Sequence, residues 1–167
     1  MKKIKNIEKT AERLIKAVRD KEKIILYGDA DVDGTASVII LEETIKRLGG
    51  KVSQVYFPDR EKEGYGLNFK ALDFLSKKTG GNAILIIMDS GISNFKEADY
   101  ARELGLELII IDHHQPLNRL PNAAIIVNPK QKKDNYPFKD FSNTGIIFKF
   151  SEELLGNKME EHIKNNF

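Results

Sequence analysis

The chain has 167 residues, 41% hydrophobic and 31% charged, enough for one globular domain with a buried core. It has no cysteine, which excludes disulfides and thiolate metal sites and suits a reducing, cytoplasmic setting. No apolar run nears the roughly 20 residues of a membrane span, no signal-like apolar core opens the chain, and a net charge of +2 neither demands nor forbids a nucleic-acid partner.

In chain order, Ile7, Ala11, Leu14, Ile15 and Val18 form a helical stripe. Ile24, Ile25, Leu26 and Tyr27 read as a buried strand running into a loop at Gly28 and Asp29. Helical spacing returns at Val38, Leu41, Ile45 and Leu48 and stops at Gly49 and Gly50. Residues 52–57 read as a strand, 58–66 as a loop and 68–78 as a helix. Residues 83–88 are almost wholly apolar, as in a strand covered on both faces. Ser93 or Asn94 is expected to cap a helix carrying Phe95, Ala98, Ala101 and Leu104. Residues 108–111 and 124–127 read as strands, 128–141 as a polar loop, and a last helix starts near Thr144. This alternation predicts a single α/β domain with a mostly parallel sheet and helices on both faces. Strand order is not readable from it.

Acids and histidines fall at strand ends. Asp29 follows the first apolar strand, Asp89 the third, and Asp112, His113 and His114 the fourth, so all should share the carboxyl edge where open α/β sheets bind ligands. Asp31 and Asp33 add two carboxylates to the first loop. Clustered carboxylates repel and are costly to desolvate without a compensating charge, which a divalent cation supplies. The Asp-rich run resembles the start of an EF-hand, but Ile40 stands where the twelfth-position Glu should be, and a buried strand precedes it. Histidine beside carboxylates suits Mn²⁺, with Mg²⁺ accommodated through the oxygens. So many ligands favour two ions, with Asp89, alone at its strand end, as the bridge. The amides of Gly34, Thr35 and Ala36, at a helix start, are candidate anion donors. Arg60 reads equally as a phosphate contact or as a solvent-exposed charge among Glu61, Lys62 and Glu63. Tyr65 and Phe69 suit either base stacking or the core. The cluster Lys130, Lys132 and Lys133 reads first as a solvated loop, and His162 as a surface residue of the charged tail.

The run Asp112-His113-His114 matches the motif that names the DHH phosphoesterases. Residues 28–34 resemble the first motif of the RecJ branch and residues 88–93 the second. Pro58-Asp59-Arg60 and residues 63–67 resemble a RecJ-type segment, as do residues 126–130 and 144–149. The motifs keep their order from about Ile24 to Phe150. This resemblance implies that Asp29, Asp31, Asp33, Asp89 and His113 hold two metal ions, usually manganese, bridged by Asp89. His114 is then expected near the scissile phosphate. It further implies phosphodiester hydrolysis by metal-bound hydroxide, with 5′-to-3′ degradation of single-stranded DNA.

Two family parts are not found: a further ligating Asp beyond the helix that contains Gly145, and the second, substrate-binding domain, DHHA1. Residues 1–167 are accordingly expected to be one DHH catalytic domain, its missing ligand and surface supplied by a C-terminal domain or a second protein. The amphipathic stretch with Leu154, Leu155, Met159 and Ile163 is expected to pack on the domain's own core, with docking of such a partner as the alternative. Two other functions compete: a DHH phosphoesterase acting on nanoRNA or small nucleotides, and a non-catalytic replication or repair binding module. The first disagrees with the segment Glu63-Gly64-Tyr65-Gly66; the second disagrees with five retained ligand candidates.

Overall fold

In the computed structural model, residues 2–156 are described. Its apolar runs become strands β1 (Ile24–Gly28), β2 (Gln54–Tyr56), β3 (Ala83–Met88), β4 (Leu106–Ile111) and β5 (Ile125–Val127). They pair in parallel in the order β2-β1-β3-β4-β5. Six helices connect or flank them: α1 (Ile7–Arg19), α2 (Val32–Arg47), α3 (Arg60–Glu63), α4 (Phe69–Thr79), α5 (Phe95–Glu103) and α6 (Asn143–Leu155). Every residue of β1 and β3 is buried, which is why these strands lack the apolar–polar alternation of a one-faced sheet. Their side chains still alternate between faces. Ile24, Leu26, Ile84, Ile86 and Met88 pack with α1, α2 and α6, whereas Ile25, Tyr27, Leu85 and Ile87 pack with α4 and α5. Ile86 has no exposed surface; truncating it to Ala should cost about 2–5 kcal/mol.

The order of strands fixes the site. From β1 the chain passes through α2 to β2 at one edge, then through α3 and α4 back across β1 to β3. The connections leaving β1 and β3 therefore diverge, opening a crevice at their carboxyl ends. Among the described residues no helix is long and apolar enough to cross a membrane.

Local chemistry moved several boundaries. Helix α2 begins at Val32, well before its apolar stripe, because Asp31 caps it by accepting from Gly34 N at 2.9 Å. The expected 58–66 loop contains the turn α3. Asp59 accepts there from Glu61 N and Lys62 N, and Glu63 returns a carboxylate to Asp59 N at 2.8 Å. Asn94 holds the N-cap position of α5 but makes no capping bond. It bonds both backbone groups of Leu67 instead. Leu154 is buried on the domain's own core, as expected; Met159, His162 and Ile163 lie outside the described residues.

Candidate metal centre

Each strand of the crevice delivers an acid one residue beyond its last strand residue. Asp29 leaves β1, Asp89 leaves β3 and Asp112 leaves β4. Asp89 adopts φ +63°, left-handed backbone that is uncommon outside glycine though tolerated by Asp. Its backbone is held there from two sides. Asp89 N lies 3.1 Å from Ile111 O. The buried Asn143 amide, turned to suit its neighbours, donates to Ile111 O and accepts from Ser37 Oγ and, at 3.0 Å, from Asp89 N.

The first loop is partly neutralised by the protein's own Arg60. Arg60, projected by α3, donates to Asp29 Oδ1 and Oδ2 at 3.2 and 2.8 Å and to Asp31 Oδ2 at 2.9 Å. Its guanidinium also lies over the Tyr65 ring, 4.8 Å from the centroid. The Gly34 N–H bond, and then Arg60, hold the Asp31 carboxyl below the usual carboxylate range. Asp33 is turned the other way, to the start of α6, where it accepts from Asn143 N and Thr144 N, each at 2.7 Å, and from Thr144 Oγ1. The helix dipole favours a carboxylate there. Asp33 Oδ2 still lies 3.9 Å from His113 Nε2.

On the β3 and β4 side, His113 Nδ1 is 2.8 Å from Phe141 O. A carbonyl can only accept, so Nδ1 carries a proton and Nε2 is the nitrogen left for the crevice. Nε2 lies 3.2 Å from Asp89 Oδ1. Asp89 Oδ1 is buried and receives no hydrogen bond. Burial first, then repulsion from Asp33 and Asp31, pushes the Asp89 carboxyl up to about 8, only partly offset by His114. Asp89, His113 and His114 each offer a ligand atom within 4.8 Å of one another. A divalent cation would satisfy Asp89 and His113 together, so this donor set fits the ion expected from the sequence.

His114 is oriented by a residue not singled out as functional, Asp112. Fully buried, Asp112 accepts at Oδ1 from His114 Nδ1 at 2.7 Å and from the amides of His113 and His114, and at Oδ2 from Ile92 N. Burial pushes its carboxyl up, but the His114 bond and these amides outweigh it and leave the group below its usual range. Reciprocally, the Asp112 bond raises the His114 imidazole above its ordinary pKa.

The structure thus gathers Asp29, Asp31, Asp33, Asp89, His113 and His114 along one edge, with Arg60 against the first two. Gly34 differs from expectation. Its N–H is given to Asp31, so it is no open anion donor, and a Cβ at this position would lie 2.3 Å from Asp29 O. Glycine is required because α2 packs directly on the Asp29 backbone. Tyr65 is not a core residue: it is 75% exposed beside the crevice. Phe69 packs on Tyr100 at 5.3 Å. Asn128 was missed as a positioning residue, although it follows β5 as the acids follow their strands. It is buried and donates to His114 O at 2.9 Å.

The family model described as DHH family, N-terminal domain, matches residues 23–167. The chain is 42% identical over 158 residues to the single-stranded-DNA-specific exonuclease RecJ of Bacillus subtilis (strain 168), covering 95% of this chain and 20% of that protein. It is 33% identical to the Escherichia coli (strain K12) protein of the same name, covering 87% of this chain and 25% of the relative. A crystal structure of exonuclease RecJ bound to manganese superposes with a TM-score of 0.82 at 27% identity, over 93% of this chain and 39% of that one. The chain therefore spans about a quarter or less of these two curated relatives.

Proposed function

This chain belongs to the DHH family, and on that footing we propose that it hydrolyses phosphodiester bonds, degrading single-stranded DNA from its 5′ end. Asp29, Asp31, Asp33, Asp89 and His113 would hold two divalent cations, Mn²⁺ by preference and Mg²⁺ as a substitute, with Asp89 between them. The observation that carries this reading is the buried Asp89 Oδ1, without a hydrogen bond, beside His113 Nε2 at 3.2 Å, a pair of donor atoms that one cation would satisfy together. Bound cations lower the pKa of water and neutralise phosphate charge.

The chain's own residues account for the remaining roles. His113 keeps its Nε2 toward Asp89 through its Nδ1 bond to Phe141 O. His114, held at Nδ1 by Asp112 and raised in pKa, presents Nε2 as a proton donor to a phosphate oxygen beside the reacting bond. Arg60 offers its guanidinium to a phosphate when it leaves Asp29 and Asp31. Tyr65, exposed beneath Arg60, offers a stacking face for the terminal base. The substrate is taken from the two named relatives and the polarity from the motif resemblance.

The test is digestion of linear oligonucleotides labelled at either end, with a circular single strand as control, in Mn²⁺ and in chelator. The expected result is release from the 5′ end, dependent on metal and lost in Asp89→Asn, with the circle intact. Metal-independent cleavage, or unchanged cleavage by Asp89→Asn, would remove the assignment.

A further inference from the structure

Beyond the acidic crevice lies a cavity of about 340 Å³ whose lining contains no carboxylate. It opens one residue after His114, between residues 115–120 and the chain leaving β5. Arg119, Lys130 and Lys132 supply its charge, and Leu117 and Leu120, 60% and 40% exposed, supply an apolar wall. It shares no lining residue with the crevice.

These cations are weakly engaged. Among the described residues Lys130 Nζ has only Asp140 Oδ1 at 3.9 Å, on a side chain that is 85% exposed. Among the described residues no carboxylate comes within ion-pair distance of Arg119 or Lys132. The Arg119 guanidinium lies over the Phe95 ring, 4.4 Å from its centroid, a contact that keeps its charge and N–H donors for an anion. The cavity is also rigidly tied to the catalytic edge. Asn128 donates to His114 O at 2.9 Å and accepts from Lys130 N at 2.8 Å, and Gln131 Nε2 bonds Ile126 O. One buried amide thus sets the position of Lys130 relative to His114.

Weakly engaged cations beside exposed apolar side chains match a single nucleic-acid strand, which presents phosphates along one side and base faces along the other. We propose that this cavity is a strand-binding subsite, holding phosphates of the single strand next to the crevice on Arg119, Lys130 and Lys132 while a base lies against Leu117 and Leu120. The assignment rests on the reading of the crevice as a phosphodiester site. It turns a lysine cluster that in sequence looked like solvated loop into part of the substrate path.

The test compares the whole chain with the triple variant Arg119→Gln, Lys130→Gln, Lys132→Gln. A control of equal net charge, Lys9→Gln, Lys70→Gln, Lys77→Gln, changes exposed lysines elsewhere. Fluorescence anisotropy with a labelled twelve-residue oligo-dT, in chelator and across a salt series, gives affinity. Mn²⁺-dependent hydrolysis of a dinucleotide, too short to span both sites, reports on the crevice alone. The expected result is that the cavity variant binds oligo-dT about ten-fold or more weakly and loses roughly two from the log–log salt slope, about 0.7 per phosphate contact. Dinucleotide hydrolysis should be unchanged and the control should bind like wild type. Equal losses in both variants, or no oligo-dT binding by wild type, would overturn the subsite. Polyaspartate displacing oligo-dT at equal charge concentration would also overturn it, in favour of an acidic-peptide surface. Normal oligo-dT binding with the expected cavity effect but no dinucleotide hydrolysis would support the subsite and refute the catalytic reading alone.

Discussion

Asp29 and Asp31 face Arg60, whose guanidinium reaches both carboxylates. Asp89, across the crevice just past β3, faces His113 Nε2, the ring nitrogen left over by the Nδ1 bond to Phe141 O. The first half of the site is an ion-paired cluster in which two carboxylates share one guanidinium of the protein itself. The second half is not: its carboxylate is buried, unbonded at one oxygen and pushed toward its neutral form. The difference shows which side demands a cation and which side already contains a competitor for one.

The strongest way to break that contrast is to remove the unsatisfied group. Asp89→Asn keeps the shape but removes the charge that the two halves would share. It should reduce Mn²⁺-dependent hydrolysis by about a thousand-fold or more, beyond the 10–100-fold typical of residues that only orient ligands. Calorimetric Mn²⁺ binding should weaken in parallel. Retained hydrolysis with weakened binding would move the essential charge to the Arg60 side.

The same contrast appears in stability without metal. The folded-state pKa of Asp89, about 8, lies above the roughly 3.9 of an unfolded Asp. Between those values the folded chain holds a proton that the unfolded chain releases, so stability is greatest at low pH and falls as pH rises toward 8. In chelator the loss between pH 5 and 8 should be roughly 3 kcal/mol, read by denaturant titration. Asp89→Asn should flatten this dependence, and Mn²⁺ should offset it at pH 8. A flat wild-type profile in chelator would mean that Asp89 finds a partner in solution.

Asp112 tests whether the β4 side is built or incidental. Its Oδ1 and Oδ2 together accept four hydrogen bonds, from Ile92, His113 and twice from His114. Asn would turn an N–H toward one of these donors and leave it unpaired in a buried setting. Asp112→Asn should slow hydrolysis about 10–100-fold. The His114 titration midpoint, followed by NMR, should fall toward that of free imidazole, because the bond that raises it is weakened. A slower enzyme with an unmoved His114 midpoint would make Asp112 a packing residue only.

Much of this was legible in the sequence, and unevenly. The parallel strands were readable because β1, β3 and β4 are nearly continuous apolar runs. Strand ends then located Asp29, Asp89 and the pair of histidines. The order β2-β1-β3-β4-β5 was not readable, since helical and strand periodicities say nothing about which neighbours pair. Gly34 misled because an amide at a helix start looks open until the capping Asp31 side chain is known to take it. Asn128 and Asn143 stayed invisible as positioning residues because an amide's value lies in partners far away in sequence, Ile111 and Ser37 for one and His114 for the other. Arg60 stood among Glu61, Lys62 and Glu63, and only the turn α3 with its reciprocal Asp59–Glu63 cap aims it into the crevice.

Arg60 gives the smallest effect and the one that most directly sharpens the comparison. If its guanidinium competes with a cation for Asp29 and Asp31, then Arg60→Ala should bind Mn²⁺ more tightly, by about five-fold or more, since the Asp31 pair is partly exposed and the Asp29 pair largely covered. The same change removes a phosphate donor, so KM for a single strand should rise while kcat changes little. Arg60→Lys should restore part of the competition but not the forked contact to Asp29, and should lie between the two. Calorimetry on the metal and steady-state kinetics on a short oligonucleotide separate these effects. Weaker Mn²⁺ binding in Arg60→Ala would instead mean that Arg60 shapes the first loop for the ion, and that the two halves of the site cooperate rather than compete.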